Sequence, residues 1–191
     1  MNMKLTLLAV AILLGGAAGA AFLFARHSAP SDAPPQDGAM TGFKQKTEAA
    51  PTPAAAFLDP DGNAADLTRF RGKVTLVNLW ATWCSPCIKE MPSIERLKSK
   101  HQSDDFAVVT ISEDVKGAPA VAAFYAKNGF ADASSYLDPD NAVLHAFGLA
   151  GLPTTLLLGR DGQELGRFEG PADWDGPDAL RLIDWYVGHK G

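Results

Sequence analysis

The chain has 191 residues, 47% of them hydrophobic, and a formal net charge of −5. That length allows one core-forming domain with a leader and a tail. The acidic balance, with no Lys/Arg cluster beyond the short run Arg69–Lys73, argues against a nucleic-acid partner.

Residues 1–26 read as a targeting element. Lys4 precedes Leu5–Ala25, which carries no charge, and Arg26 closes the run. Such a run is long enough to cross a bilayer as a helix. Two readings of it stand. Ala18-Gly19-Ala20 offers a signal-peptide cleavage site, whereas continuation of the apolar run through Ala21–Ala25 suits an uncleaved anchor, which is preferred. Either would deliver the domain to the oxidising, extracytoplasmic side of a membrane. Residues 27–53 have the Ala, Pro, Ser, Asp and Gly composition of a flexible linker. The folded domain is expected over 54–191.

Phe57-Leu58 is a short strand, followed by the turn chemistry of Asp59-Pro60-Asp61-Gly62. Leu67–Phe70 suits one helical turn. Val74–Leu79 is β-branched and apolar, the mark of a central strand buried on both faces. From Ser85 to Lys100, Ile88, Met91, Ile94 and Leu97 recur every three residues between charges, which predicts an amphipathic helix. Phe106–Ile111 is a second buried strand, and Ala118–Asn128 a helix ended by Gly129. A short strand near Tyr136-Leu137 and a short helix over Asn141–Phe147 come next. Thr154–Leu158 and Gln163–Phe168 form a hairpin around Asp161-Gly162, and Asp178–Val187 is a closing helix. This order describes an α/β sandwich around a mixed sheet, with a right-handed crossover between the two long strands. Trp80 and Phe147 are expected in its core.

The two cysteines, Cys84 and Cys87, are separated by two residues. A bridge between them closes a tiny loop and stabilises little on the loop-entropy model, so its value is chemical. Cys84 falls after a central strand, at the amino end of a helix. There the unpaired N–H groups and the helix dipole favour a thiolate, the species that attacks a disulfide. Pro86 suits the first helical turn. Cys84 is therefore the exposed nucleophile and Cys87, one turn deeper, the resolving thiol. A zinc site would need more ligands, and His27, His101, His145 and His189 are scattered without ligand spacing. No cofactor is expected beyond the redox-active pair itself.

The segment Val77-Asn78-Leu79-Trp80-Ala81-Thr82-Trp83-Cys84-Ser85-Pro86-Cys87 resembles the active-site strand and loop of thioredoxin-like proteins. Glu90-Met91-Pro92 is similar to the TlpA branch of that superfamily, which includes the cytochrome c biogenesis reductases. Gly151-Leu152-Pro153-Thr154 resembles the superfamily's cis-proline loop, and Gly170-Pro171-Ala172-Asp173-Trp174 with Asp178-Ala179-Leu180 resembles the C-terminal part of TlpA-type proteins. The separation of Cys84 from Pro153 exceeds that of a minimal thioredoxin, and Ala118–Asn128 with the Tyr136 strand fits a central insertion.

The resemblance implies a thioredoxin-like α/β fold with that insertion, and a periplasmic, membrane-anchored thiol:disulfide oxidoreductase. Its implied work is the reduction of partner disulfides in cytochrome oxidase copper-site or cytochrome c assembly, with electrons from a membrane thiol donor. Asn78 stands where thioredoxin has a buried aspartate. Glu90, three residues after Cys87 on the same helix, is the available proton acceptor; the alternative is a solvated helix residue. Trp83 is expected on the rim around the nucleophile. A cis Pro153 would set the Leu152 backbone beside Cys84 to pair with a substrate strand. Two other functions stay open: a disulfide-inserting oxidase, and a copper chaperone using Cys84 and Cys87, for which Met91 is the only near third ligand. The Ser85-Pro86 dipeptide, lacking the histidine of strong oxidants, favours reduction.

Overall fold

The computed structural model describes residues 33–48, 52–130 and 135–189. Eight strands form one sheet: β1 (Lys44–Gln45), β2 (Phe57–Leu58), β3 (Ala64–Ala65), β4 (Val74–Trp80), β5 (Phe106–Ser112), β6 (Tyr136–Leu137), β7 (Thr154–Leu158) and β8 (Glu164–Glu169). Their order is β1-β8-β7-β4-β5-β6-β2-β3. β4 runs parallel to β5 and antiparallel to β7, so it lies in the middle, and every residue of β4 and β5 is buried. This is the two-faced burial that their apolar runs require.

Among the described residues four α-helices cover the sheet: α1 (Ser85–His101), α2 (Ala118–Asn128), α3 (Ala142–Ala146) and α4 (Pro177–Gly188). On one face Met91, Ile94 and Leu97 of α1 pack with Val121 and Phe124 of α2 and Leu182 and Ile183 of α4 against Leu76 and Trp80. On the other, Val143 of α3 and Phe147 meet Val77, Leu79, Val109, Ile111 and Leu156. Trp80 and Phe147 are both core residues, as expected. Helix α2 ends at Gly129, whose φ of 70° is the left-handed conformation that glycine adopts without a Cβ penalty. α2 and β6 form the expected insertion, β6 pairing with β5 and β2.

The linker expectation for 27–53 needs correction. Pro34–Glu48 is part of the folded domain: Met40 and Phe43 are 0% and 4% exposed, and β1 adds an edge strand to β8. The Ala39 N–H donates to the Asp178 carboxylate at 2.7 Å, and the Phe43 ring packs on Tyr186. Two apolar side chains in a polar stretch make no periodic pattern. They gain stability from α4 and β8, more than a hundred residues away, which composition does not register. The apolar run at 5–25 lies outside the described residues. Among the described residues no helix is long and apolar enough to cross a membrane.

Candidate active site

Cys84 and Cys87 are joined, with an S–S distance of 2.01 Å. Cys84 caps α1: its Sγ accepts the Cys87 N–H at 3.3 Å and its carbonyl accepts the Ile88 N–H at 3.1 Å. Pro86 occupies the first turn, where a missing N–H leaves nothing unpaired. The chain enters this cap directly from β4, so the pair sits at the carboxyl end of a parallel strand, where open α/β sheets gather their sites. The expected exposed nucleophile is more enclosed than the spacing implied. Cys84 is 5% exposed and Cys87 0%, because both sulfurs pack into the core formed by α1, α2 and α4. Trp83 beside them is 68% exposed, a rim residue as expected.

Glu90 is not a solvated helix residue. It is 3% exposed, one turn after Cys87. Its Oε1 accepts from Asn78 Nδ2 at 2.8 Å; its Oε2 accepts from the Ala172 N–H at 3.0 Å and Trp174 Nε1 at 3.3 Å. Burial pushes its carboxyl above the ordinary range, against the pull of those three donors toward the ionised form. α1 continues through Pro92, and the neighbouring Ser93 hydroxyl donates to the Glu90 carbonyl at 2.7 Å while accepting the Trp174 N–H at 3.1 Å. The loop from Gly170 to Trp174 is thereby fixed to α1 at Glu90 and at Ser93. Outside it lies a cleft of 480 Å³ lined by Lys89, Glu90, Arg96, Pro171 and Asp173.

The Leu152–Pro153 peptide bond is cis, and Leu152 packs against both halves of the core. The Pro153 carbonyl accepts the Gly170 N–H at 2.9 Å, which ties this loop to the start of the segment that holds Glu90. Thus Cys84, Cys87 and Glu90 lie on one helix end, while Leu152-Pro153 heads β7, next to β4 in the sheet.

Three features of the site escape a reading of the sequence. The Asp114 carboxylate accepts the Thr82 N–H at 2.8 Å, the Thr82 hydroxyl at 2.6 Å and the Ser112 hydroxyl at 2.8 Å, anchoring the segment that leads into Cys84. Glu113 is 1% exposed, and neither carboxylate oxygen has a hydrogen-bond partner among the described residues. Burial, helped by nearby Asp138, pushes its carboxyl up to about 8. The signal available in sequence was Glu113-Asp114 set directly after a buried strand, where a charge is costly unless paired or neutralised. Third, Asn78 touches Glu90, although twelve residues separate them.

The comparisons agree with this geometry. The Redoxin family profile matches residues 45–183. The thiol-disulfide oxidoreductase ResA of Geobacillus thermodenitrificans is 32% identical over 126 residues, covering 63% of this chain and 70% of that protein. ResA of Bacillus subtilis is 28% identical over 125 residues, covering 65% and 68%. Among solved structures, StoA from Bacillus subtilis superposes with a TM-score of 0.56 at 26% identity, covering 71% of this chain and 98% of that one. A thioredoxin-family thiol:disulfide interchange protein from Chlorobium tepidum gives 0.57 at 26%, covering 74% and 100%. With a fold, a cysteine pair and a matched span that coincide, the chain belongs to the Redoxin family, as a thiol-disulfide oxidoreductase related to ResA.

Proposed function

We propose that this protein is an extracytoplasmic, membrane-anchored reductase of disulfides in specific partner proteins, and that Glu90 is its proton acceptor. The observation that carries the reading is a buried carboxyl one helical turn beyond the buried Cys87. The Cys84 thiolate attacks a partner disulfide, forming a mixed disulfide and releasing one partner sulfur as a thiolate. Cys87 then gives its proton to the Glu90 carboxylate and attacks the Cys84 sulfur. The bond from Cys84 to the partner breaks, the Cys84–Cys87 disulfide forms, and two electrons have passed to the partner, which leaves as a dithiol once its thiolates take up protons. The cleft beside Glu90 returns the proton to water. Trp83 and the Leu152-Pro153 loop receive the partner chain.

Extracytoplasmic placement is supported by the apolar run Leu5–Ala25, and reduction by the Ser85-Pro86 dipeptide. A reductase in an oxidising compartment needs a membrane thiol donor to restore its dithiol form. Resemblance of the Gly170–Trp174 segment to TlpA-type proteins favours, as targets, the cysteines of a cytochrome oxidase copper site or of an apocytochrome c. A Cys87→Ser variant, which stalls at the mixed disulfide, should retain such a partner. The wild-type couple should lie near the thioredoxin value of about −270 mV. A potential above roughly −160 mV would instead indicate an oxidase. Tight Cu(I) binding by the dithiol, without disulfide exchange, would indicate a chaperone.

A further inference from the structure

Asn78 lies in the middle of β4, 0% exposed, opposite Thr155 of β7 and Thr110 of β5. A primary amide has two N–H donors and a carbonyl acceptor, and each is costly to bury unmatched. Both Asn78 donors are used: Nδ2 donates to Glu90 Oε1 at 2.8 Å and to Thr155 Oγ1 at 2.9 Å. Oδ1 is buried and accepts no hydrogen bond among the described residues. The side chain is therefore held for the sake of its two donations, with the carbonyl left over.

The partners of Glu90 differ in what they can become. The Ala172 N–H and the Trp174 indole N–H, both at Oε2, are donors only. They suit a carboxylate and cannot accept from an acid. A proton arriving on Glu90 therefore belongs on Oε1, where the neighbour is an amide that offers a donor on one side and an acceptor on the other. Rotation of that amide by half a turn exchanges Nδ2 and Oδ1. The atom within reach of both Glu90 Oε1 and Thr155 Oγ1 then becomes an acceptor. Thr155 can meet it, because its hydroxyl donates as readily as it accepts. One amide can thus meet the carboxyl in either state without moving the backbone, at the cost of turning its N–H donors toward the side where Oδ1 has no partner among the described residues.

We propose that Asn78 is a positioning residue for the exchange reaction: its amide donates to the Glu90 carboxylate and turns over to accept from the Glu90 acid, with Thr155 following by rotation of its hydroxyl. This rests on Glu90 as the proton acceptor. An aspartate at the same place, as in thioredoxin, would titrate itself and would set a second anion against Glu90. The amide keeps a single proton site beside Cys87. Other charges that face this region are Lys89 and Arg96 of α1 and Asp173 of the adjoining loop, all on the cleft side of Glu90.

The test uses the reduced wild-type protein, isotopically labelled, with the side-chain amide of Asn78 and the carboxyl carbon of Glu90 followed by NMR across pH. The two Asn78 amide protons should shift strongly with the same midpoint as Glu90, and should lose that transition in Glu90→Gln. Flat Asn78 signals through the Glu90 titration would overturn the inference. In stopped-flow exchange with a peptide disulfide, Asn78→Leu should slow release of the mixed disulfide by about ten-fold while leaving the first attack within about two-fold, less than the roughly hundred-fold lower end of general acid–base catalysis because the base itself remains. Asn78→Asp should move the pH dependence of release upward, a shift that a packing defect does not produce. Glu90→Gln separates the two ideas. If it releases product at the wild-type rate, the role of Glu90 itself is wrong; if it is slow and the Asn78 signals are flat, only the amide rotation is wrong.

Discussion

Asp114, two residues beyond β5, holds Thr82, two residues before Cys84, by both its backbone N–H and its hydroxyl, at 2.8 and 2.6 Å. Asp114 is 4% exposed, so losing its carboxylate removes a buried acceptor that three donors use. Asp114→Ala should therefore destabilise the fold by about 2–3 kcal/mol and slow disulfide exchange, through a loosened approach to Cys84. Urea melts and exchange rates check both effects. A variant that melts with the wild type would show that Thr82 is held by other means.

In the reduced protein Cys84 should be alkylated well before Cys87. Cys84 caps the helix and retains 5% exposure, whereas Cys87 is fully covered. Reagent access and the helix terminus therefore act in the same direction. Timed iodoacetamide labelling with peptide mass spectrometry reads the order, and equal rates at the two sites would cancel the division of roles.

Glu113 should make the protein less stable as pH rises from weakly acid to weakly alkaline. Its carboxyl titrates near 4.5 in an ordinary setting and at about 8 in the fold. Between those values the folded state keeps a proton that the unfolded state gives up. Stability should then fall by about 1.4 kcal/mol per pH unit from this group alone. Below the lower value the group contributes no slope, and above the upper one the loss is complete. Glu90, also shifted upward, adds to the same trend. Glu113→Gln should remove most of the slope between pH 5 and 8; parallel stability–pH curves for the two proteins would rule the explanation out.

The N-terminal arm should contribute measurably to stability. Phe43 packs on Tyr186 and fills the space over Gly166, where a Cβ would come within 2.5 Å of its ring. Phe43→Ala should cost about 3 kcal/mol, and Gly166→Ala should displace the arm by overpacking. A domain begun at residue 54 should melt well below one begun at residue 34. Equal melting temperatures would return the arm to the status of a linker.

The redox pair and most of the fold were legible in the sequence because they rest on local patterns. A two-residue spacing of cysteines at a strand-to-helix junction carries its chemistry wherever the rest of the chain goes. Seven-residue strands such as β4 and β5 declare themselves by apolar runs, and α1 by its three-residue apolar rhythm. The same local reading assigned Pro34–Glu48 to a linker, since Met40 and Phe43 have no pattern of their own.

What the tertiary structure decided is the state of the polar groups. A glutamate three residues after Cys87 could equally have faced solvent. Asn78 from β4 and Ala172 and Trp174 from the far end of the chain enclose it. Asp114 and Glu113 are neighbours in sequence with opposite fates, one held by three hydrogen bonds and the other by none among the described residues. The ionisation and hydrogen bonding of a carboxyl depend on desolvation and on donors within a few ångströms. Those donors are brought together by packing across sequence distances that no local pattern spans.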